Sequence, residues 1–426
     1  MTKQPSYRFE GYIESWEQRK LGEVGDFSIK TNSFSREKLS LNSGEIKNIH
    51  YGDILVKYNS TLDFENNSIP YVIDNDTKLT SDMFLKNGDI IFSDAAEDYS
   101  VGKCVELFNV SGNIVSGLHT IVCRPEIDFA RYFLGYYLNS NSYRQQVLPM
   151  VQGAKVSSIS KGNLSKTNIS FPSLPEQTTI GSFFQDIDQL ISLQQRKLEV
   201  LKEQKKTYLK LLFPAKGQKK PSLRFAGFED EWQEVKLGEV FDIVTDYVAN
   251  GSFESLRNNV RTYEKDNFAY MIRLQDASNS WKGPWLYTDE KGYNFLSKSR
   301  LFKDDILMSN VGTVGRFFQV PELDRPMTLA PNSVLIRSTS SNNQFLYFMM
   351  LTANIQDQIT MRKTPGVQDK INKTDFKRVI ATLPALPEQE AIGAFFQDLD
   401  KAIAKQEEKV NQLKESKQTL LRKMFI

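Results

Sequence analysis

Residues 174–213 read LPEQTTIGSFFQDIDQLISLQQRKLEVLKEQKKTYLKLLF, and residues 386–425 read LPEQEAIGAFFQDLDKAIAKQEEKVNQLKESKQTLLRKMF. The two segments align without a gap, and each position of the second lies 212 residues after its counterpart in the first. A repeat of this length does not arise by chance, and it indicates that the chain is built from two tandem copies of one unit.

Both segments begin with the signals of a helix start. Pro175 and Pro387 fit the first turn of a helix, where the missing N–H has no partner to lose. Glu176 and Glu388 follow them and place negative charge at the positive end of the helix dipole. We therefore predict a long helix in each segment, starting at the Leu-Pro-Glu-Gln sequence.

Apolar residues recur at alternating steps of three and four along both segments, which is the pattern of a heptad seam. The seam is interrupted at matching places, by Gln194 and Gln406 and by Lys205 and Lys417. Matched interruptions of this kind fix the register of a coiled coil. We expect the two helices to pack against each other; the alternative is two independent amphipathic helices on separate cores. The predicted seam consists of Phe184, Ile187, Ile191, Leu198, Leu201, Tyr208, Leu212, Phe396, Leu399, Ile403, Val410, Leu413, Leu420 and Met424.

Composition indicates an ordinary globular protein. The chain has 426 residues, of which 40% are hydrophobic and 25% charged, enough for two or three cores. No run approaches the roughly 20 apolar residues that span a bilayer, and the first residues lack an apolar signal core, so we expect a cytoplasmic location. The two cysteines and two histidines lack metal-ligand spacing, which argues against a zinc site or a disulfide framework.

A second repeat lies at the start of each copy. Residues 7–27 and 223–243 share ten identities at an offset of 216, including Trp16 and Trp232, which we interpret as core anchors. The predicted segments are a first body (1–173), a first long helix (174–213), a basic linker (214–222), a second body (223–385) and a second long helix (386–426).

The two bodies differ in sequence but show similar element patterns. Short β-branched runs predict strands at IHYGDILV, PYVI, GDIIFS and HTIVCRP in the first body, and at AYMIRL, DDILMS, GRFFQV and SVLIRS in the second. Aromatic-rich helices are predicted near 128–147 and 343–359, followed by polar loops at 152–164 and 363–376. The fold class is therefore mixed α/β, without the regular alternation of a doubly wound sheet.

No catalytic signature is present. The sequence has no Walker A motif, dinucleotide-binding turn, nucleophile elbow or zinc-protease helix. The closest approach to a phosphate loop, residues 311–316, lacks the Lys-Ser/Thr ending and reads as a connection between strands. Acid pairs such as Asp304 with Asp305, or Asp94 with Glu97, are interpreted as solvated carboxylates. We predict that the chain is not an enzyme.

The repeated opening motif, the two Leu-Pro-Glu-Gln helix starts and the Gly-Asp-Ile-Ile and Asp-Asp-Ile-Leu strands resemble the specificity subunit of type I restriction–modification enzymes over the entire chain. The resemblance implies two target-recognition domains, each reading half of a bipartite DNA sequence, held apart by two long antiparallel helices. It also implies that the helices dock two methyltransferase subunits, which bind S-adenosylmethionine, and that restriction subunits using ATP and Mg join the complex. No cofactor is expected in this chain.

Divergent bodies and repeated helices are what a reader of two different half-sites requires. Such a target would consist of two dissimilar half-sites around a spacer of fixed length and free sequence. Base and phosphate contacts need amide, guanidinium, hydroxyl or ammonium groups on exposed loops. The predicted DNA-contacting residues are Lys103, Gly153, Lys155, Ser157, Ser158 and Lys161 in the first body, and Arg273, Trp281, Lys282, Ser309, Asn310, Thr313, Arg316, Thr364, Gln368 and Lys370 in the second.

Two other functions are compatible with these patterns. The chain could be a coiled-coil scaffold whose bodies bind proteins, or a self-contained enzyme with an unrecognised site. Salt-sensitive binding to duplex DNA separates the first alternative from the leading hypothesis. Methylation or cleavage of DNA by the isolated chain would establish the second.

Overall fold

The computed structural model describes residues 4–42, 44–73, 79–153, 155–364, 366 and 369–426. Packing divides the chain into two compact units. The first unit comprises Met1–Gln195 and Glu408–Ile426, and the second comprises Arg196–Glu407. The divisions fall inside the two long helices, between Gln195 and Arg196 and between Glu407 and Glu408.

The first unit contains a five-stranded sheet of order β2-β11-β7-β9-β5 and a four-stranded sheet of order β10-β4-β6-β3. Its strands are β1 (Glu17–Lys20), β2 (Gly25–Asp26), β3 (Leu39–Ser40), β4 (Ile46–Ile49), β5 (Thr61–Asp63), β6 (Tyr71–Val72), β7 (Ile90–Ser93), β8 (Ala95–Ala96), β9 (Cys104–Phe108), β10 (Asn113–Ser116), β11 (Thr120–Pro125), β12 (Ser157–Ser158) and β13 (Asn168–Phe171). Its helices are α1 (Leu21–Val24), α2 (Tyr51–Val56), α3 (Phe133–Leu138), α4 (Asn141–Val147), α5 (Lys161–Ser165) and the start of α6 (Leu174–Leu211).

The second unit contains a four-stranded sheet of order β15-β23-β20-β21 and a five-stranded sheet of order β16-β18-β17-β22-β19. Its strands are β14 (Gln233–Lys236), β15 (Ile243–Asp246), β16 (Thr262–Tyr263), β17 (Ala269–Ile272), β18 (Tyr287–Thr288), β19 (Arg300–Leu301), β20 (Ile306–Met308), β21 (Phe317–Gln319), β22 (Met327–Leu329), β23 (Val334–Arg337) and β24 (Ile380–Leu383). Its helices are α7 (Leu237–Val240), α8 (Phe253–Asn259), α9 (Leu274–Ser278), α10 (Glu290–Phe295), α11 (Asn343–Met350), α12 (Ala353–Met361), α13 (Lys373–Lys377) and the start of α14 (Leu386–Met424).

The sheets confirm the mixed α/β class. Most strand pairs are antiparallel, and parallel pairs join β4 to β10, β5 to β9 and β17 to β22. One predicted strand is wrong, because most of IHYGDILV forms helix α2. The side chain of His50 accepts the N–H of Gly52 and caps this helix, which a short apolar run alone does not reveal.

Each body is closed at its base by a two-stranded ladder between its first and last strands. In the first unit β1 pairs with β13, and in the second β14 pairs with β24, both antiparallel. The same backbone bond follows each ladder: the N–H of Leu21 donates to Thr167 and that of Leu237 to Val379, both at 2.8 Å. The chain therefore enters and leaves each body at neighbouring points.

Glycine is required beside both ladders because two short helices approach closely. A Cβ on Gly22 would lie 2.8 Å from Cβ of Ser165 in α5, and one on Gly238 would lie 2.9 Å from Cβ of Lys377 in α13. Separations under 3.0 Å are not seen between real Cβ atoms and their neighbours. The Leu-Gly-Glu-Val sequence repeats in the opening motif because both halves use this contact.

The glutamates that start the long helices are held by arginines of the opening motif. Arg8 makes two bonds to the Glu176 carboxylate, both of 2.6 Å. Arg224 makes the same two bonds to Glu388, both of 2.7 Å. Both carboxylates are buried, so a bidentate charged pair accounts for these residues more fully than the helix dipole does.

The glutamines that follow tie each helix to its own body. Oε1 of Gln177 accepts the N–H of Ala130, and its Nε2 donates to Pro172. Gln389 makes the equivalent bonds to Asn342 and Pro384. Both polar atoms of each glutamine amide, Oε1 and Nε2, are therefore hydrogen-bonded to the backbone of its own body. This shared role explains why the Leu-Pro-Glu-Gln sequence occurs twice.

Within each unit, a segment of α6 packs against a segment of α14 in the antiparallel sense. In the first unit the rings of Phe184 and Phe425 stack at 5.6 Å, and Asp188 meets Lys417 at 2.5 Å. In the second, Phe396 stacks on Phe213 at 6.0 Å, in the chain just past α6. All the predicted seam residues are buried or half-buried.

The lysine interruptions of the seam are charge-paired and lie over aromatic rings. Lys417 Nζ is 2.5 Å from Asp188 and 5.1 Å from the centroid of the Tyr136 ring. Lys205 Nζ is 2.5 Å from Asp400, while the centroid of the Phe348 ring lies 5.3 Å away. We call each set of a lysine, its acid and its ring a lysine clamp. The three members of one clamp lie 212 residues from their counterparts in the other, so the structure uses the same clamp twice.

The tryptophans of the opening motif lie in the cores, as predicted. Trp16 contacts the rings of Phe133 and Phe425, and Trp232 contacts those of Phe213 and Phe345. Each core therefore contains the phenylalanine that follows a long helix begun in the other half of the sequence. None of the helices in the described part of the chain is both long enough and apolar enough to cross a membrane.

Candidate nucleic-acid interface

In the first unit, residues of the predicted loop 152–164 meet the chain that follows strand β7. Ala95–Ala96 pair with Ser157–Ser158, and the carbonyl of Asp94 accepts the N–H of Ile159 at 2.9 Å. The N–H of Asp94 donates to the carbonyl of His119 at 3.0 Å. We call residues 94–96, 119, 152–153 and 155–159 the first loop cluster.

The second unit repeats this arrangement at the end of strand β20. The carbonyl of Asn310 accepts the N–H of Ile371 at 3.1 Å, and Val311 bridges to Lys370. Thr364 and Lys370 exchange two backbone bonds, of 2.8 and 3.2 Å. We call residues 309–316, 364 and 369–371 the second loop cluster. The bond from Ile159 to Asp94 and that from Ile371 to Asn310 show that the clusters are counterparts.

The side chains of the two clusters differ where the backbone matches. In the first cluster Nδ1 of His119 lies 3.3 Å from Oδ1 of Asp94, and burial raises the pKa of that carboxyl. The His119 ring makes an edge contact with Tyr51 at 5.3 Å. In the second cluster Asn310 replaces the acid, and its buried Oδ1 has no hydrogen-bond partner among the described residues. The clusters therefore present different hydrogen-bonding groups on one backbone frame.

Several of the predicted contact residues of the first body belong to its cluster. Ser157 and Ser158 form β12, and Lys155 is exposed beside them. Gly153 has φ +114°, and a Cβ there would collide with the carbonyl of Val156, so the turn requires glycine. Lys161 is exposed, but its amine donates to the carbonyl of Phe27 at 2.9 Å.

Lys103 does not present its amine to the first loop cluster. Its Nζ donates to the carbonyls of Leu55 and Tyr58 at 3.0 and 2.9 Å. Burial lowers the pKa of this lysine. Its side chain instead lines a separate cavity, described below.

In the second body, the cluster gathers five of the predicted residues with exposed or partly exposed side chains. These are Asn310, Thr313, Arg316, Thr364 and Lys370. The Arg316 guanidinium lies 5.1 Å from the centroid of the Phe318 ring, a stacked position that leaves its edge free for an anion or a base. Ser309 is buried and donates to the carbonyl of Val311. Gln368 lies outside the described residues.

The other three predicted residues of the second body lie around helix α9. Both Nε and Nη2 of Arg273 bond the Asp276 carboxylate, and Nη2 also donates to the carbonyl of Pro284. Trp281 has φ +59°, and its side chain is half-buried against an apolar cluster. Lys282 next to it is exposed. The arginine is therefore occupied within the fold, and the structure does not bring these residues into the second loop cluster.

Sequence reasoning missed Asp94 and His119 as site residues. It interpreted Asp94 as a solvated acid and did not include His119 among the predicted DNA-contacting residues. The runs IIFSD and ILMSN, each ending a strand of its body, would have paired Asp94 with Asn310 if they had been aligned. The approach of His119 depends on a fold contact over 25 residues and leaves no local signal.

A comparison with protein families finds the type I restriction modification DNA specificity domain twice, at residues 13–203 and 229–415. Among curated proteins, a putative type I restriction enzyme MjaX specificity subunit of Methanocaldococcus jannaschii is 22% identical over 343 residues, covering 78% of this chain and 76% of its own. The MjaVIII specificity subunit of the same organism is 22% identical over 281 residues, covering 63% and 64%.

Solved structures with a similar fold cover nearly the whole chain. The S subunit of a type I restriction–modification system from M. genitalium matches with a TM-score of 0.57 at 14% identity, over 100% of this chain and 99% of its own. A chain from a study of complex assembly in the type I R-M system matches with a TM-score of 0.54 at 18% identity, over 96% and 97%. At these identities the likeness concerns the fold alone.

Proposed function

Because the chain belongs to the type I restriction–modification DNA specificity family, we propose that its first body reads one half-site of a bipartite, asymmetric DNA target and its second body reads the other. The chain is the DNA-recognition subunit of such a system, and it assembles with other subunits of the system. The proposal concerns how the recognition is divided between the bodies.

The observation that carries this proposal is the pair of loop clusters. Each follows the end of an equivalent strand, β7 or β20, and is held by an equivalent backbone bond. One cluster contains Asp94 with His119, and the other contains Asn310 with Arg316 nearby. A shared frame supports equivalent docking on two half-sites, and different side chains support different bases. The target would then be two dissimilar half-sites separated by a spacer of fixed length.

We further propose that the long helices dock two methyltransferase subunits, and that restriction subunits complete the nuclease. In this arrangement the chain is not catalytic: S-adenosylmethionine, and ATP with Mg, belong to the partner subunits. Two helices that share the Leu-Pro-Glu-Gln start and the lysine clamp suit two copies of one partner. The complex would work in the cytoplasm, where its DNA target is.

Methylome sequencing of a host with and without this chain, supplied with its methyltransferase partner, tests the proposal directly. We expect methylation at a bipartite, non-palindromic motif that disappears when the chain is absent. A continuous or palindromic motif would contradict the two-reader arrangement. Salt-insensitive or absent binding of the assembled complex to duplex DNA would instead favour a protein-binding scaffold.

A further inference from the structure

A cavity of about 450 Å³ opens in the first unit, where the turn at 99–103 and helix α4 face the last turns of α14. Three cationic side chains line it: Lys103, Arg144 and Lys417. No acidic residue of the described chain lines it, and Ser60 and Ser100 add hydroxyl groups. Cavities of roughly 300–1,000 Å³ are the size that small ligands occupy in proteins.

Two of these residues have no carboxylate partner among the residues that the structure describes. Lys103 donates to two backbone carbonyls, and Arg144 donates from Nη2 to the carbonyls of Tyr99 and Val101. Lys417, by contrast, is paired with the carboxylate of Asp188. Burial lowers the pKa of both Lys103 and Arg144, and repulsion from Lys417 and Arg144 lowers the pKa of Lys103 further. The exposed Asp98 acts on Arg144 only through space.

Arg144 also has a donor to spare. Its Nη1 is buried and lacks a hydrogen-bond partner among the described residues. A buried guanidinium nitrogen without an acceptor is unfavourable, and an anionic oxygen is the acceptor that stabilises it best. The unsatisfied donor thus belongs to a cationic wall in which neither Lys103 nor Arg144 is paired with a carboxylate of the described chain.

The second half of the chain shows that the fold does not need this charge. At the offset of 212 its counterpart to Arg144 is Gln356, whose Nε2 donates to the carbonyls of Gly315 and Met350. A neutral amide therefore does the same work of tying the helix to backbone carbonyls. The guanidinium charge at 144 is an addition specific to the first half.

We propose that this cavity binds a phosphate group, carried either by a free organic phosphate of nucleotide size or by the backbone of DNA. Phosphate oxygens match a guanidinium edge, an ammonium and hydroxyl donors converging on one space. The site is distinct from the first loop cluster, because none of the residues that line the cavity belongs to that cluster. The free-phosphate form of the proposal does not depend on the function proposed above.

Calorimetric titration of the full chain at low salt with inorganic phosphate, pyrophosphate, AMP and, as the uncharged control, adenosine tests the free-ligand form. We expect a phosphate probe to bind while adenosine does not. R144Q, which copies the second half, should weaken this binding at least about tenfold by removing a charge-assisted contact, and R144K should retain most of it. K291Q, which removes an exposed charge in the second unit, is the matched control and should bind as the parent chain does.

The DNA form is tested with the assembled complex and a duplex containing the target. If the phosphate belongs to DNA, R144Q should reduce the salt slope of binding by about one and leave the methylated motif unchanged. Thermal melts of each variant verify folding, and the parent-chain titration needs no variant at all. If no phosphate probe binds the parent chain at millimolar concentration and R144Q leaves the salt slope unchanged, the inference is wrong. Failure of the complex to bind any duplex would count against the proposed function instead.

Discussion

At the scale of single residues, the key feature of the second loop cluster is Oδ1 of Asn310, an acceptor without a hydrogen-bond partner among the described residues. An Asn amide that accepts from N6 and donates to N7 of adenine contributes about 1–3 kcal/mol of discrimination. We predict that N310A has one of two effects on a single half-site. Either methylation of the motif falls roughly tenfold or more, or the base preference at one position of that half-site is lost. The other half-site should be unaffected, and bisulfite-free methylome sequencing of the variant reads both at once.

The matching change in the first body is the control for that result. H119A removes the partner of Asp94 and should affect only the opposite half-site. The prediction is refuted if either variant, shown by melting to be folded, alters both half-sites equally. It is refuted as well if both leave the motif and its methylation level unchanged.

Glu106 makes the first unit sensitive to pH. Its carboxylate is buried in β9 and accepts the N–H groups of Tyr132 and Gly135, both at 2.8 Å. Burial raises its pKa from 4.5 to about 7. Between those values the unfolded chain releases a proton that the folded chain keeps, so this group lowers the free energy of unfolding as pH rises from about 4.5 to 7, by about 3 kcal/mol in total.

Urea denaturation at pH 5 and pH 8 measures this effect. The stability of E106Q should change less between the two pH values than that of the parent chain. E37Q, at an exposed glutamate, should retain the parent dependence. An unchanged pH dependence in E106Q would show that the carboxyl is ionised in the folded protein throughout this range.

At the scale of elements, the long helices carry the two lysine clamps and a third ion pair, between Lys202 and Glu407. These three pairs differ in burial and should differ in strength. The side chains of Lys417 and Asp188 are 12% and 9% exposed, those of Lys205 and Asp400 are 21% and 38%, and those of Lys202 and Glu407 are 42% and 45%. Removing one partner of a buried pair leaves the other charge desolvated, whereas an exposed pair contributes little.

We therefore predict that K417M destabilises the protein by about 3 kcal/mol or more, K205M by less, and K202M by under about 1 kcal/mol. Denaturant unfolding monitored in both units gives the three values. An equal effect of all three would mean that burial does not govern these pairs. The double variant K417M with D188L should recover much of the loss, because it removes the uncompensated acid.

The helices themselves could be predicted from sequence, but their clamps could not. Proline, glutamate and a heptad period are signals carried by adjacent residues, so the starts of α6 and α14 were placed at the right leucines. Lys417 meets an acid 229 residues away and Lys205 one 195 residues away, and sequence alone showed them only as interruptions of an apolar seam. Arg273 is a different case, because its partner Asp276 lies only three residues away and the capping geometry of the short helix α9 decides that they bond.

At the scale of the whole molecule, neither compact unit is a continuous stretch of chain. Phe213, which follows the helix begun in the first half, contacts Trp232 and Phe345 in the second core. Phe425 follows the helix begun in the second half and contacts Trp16 and Phe133 in the first core. Each half of the sequence thus supplies part of a core to the other unit.

We predict that fragments 1–216 and 217–426, expressed together from separate reading frames, purify as a one-to-one complex. Neither fragment alone should show a cooperative thermal transition, because each would expose the surface its partner covers. F425A combined with F213A should weaken the association, since each core loses the aromatic ring that the other fragment supplies. A sharp, parent-like melt of either isolated fragment would show that the units fold without exchange.

The ladders at the base of each body have a consequence for how such chains change over generations. Since the polypeptide enters and leaves each body through paired strands, a crossover between genes at Leu21 and Thr167, or at Leu237 and Val379, would exchange one body and keep the same 2.8 Å closure. The arginine–glutamate pairs outside those points would be untouched. A single recombination event would therefore exchange one half-site of the proposed target while the long helices and their contacts stay unchanged.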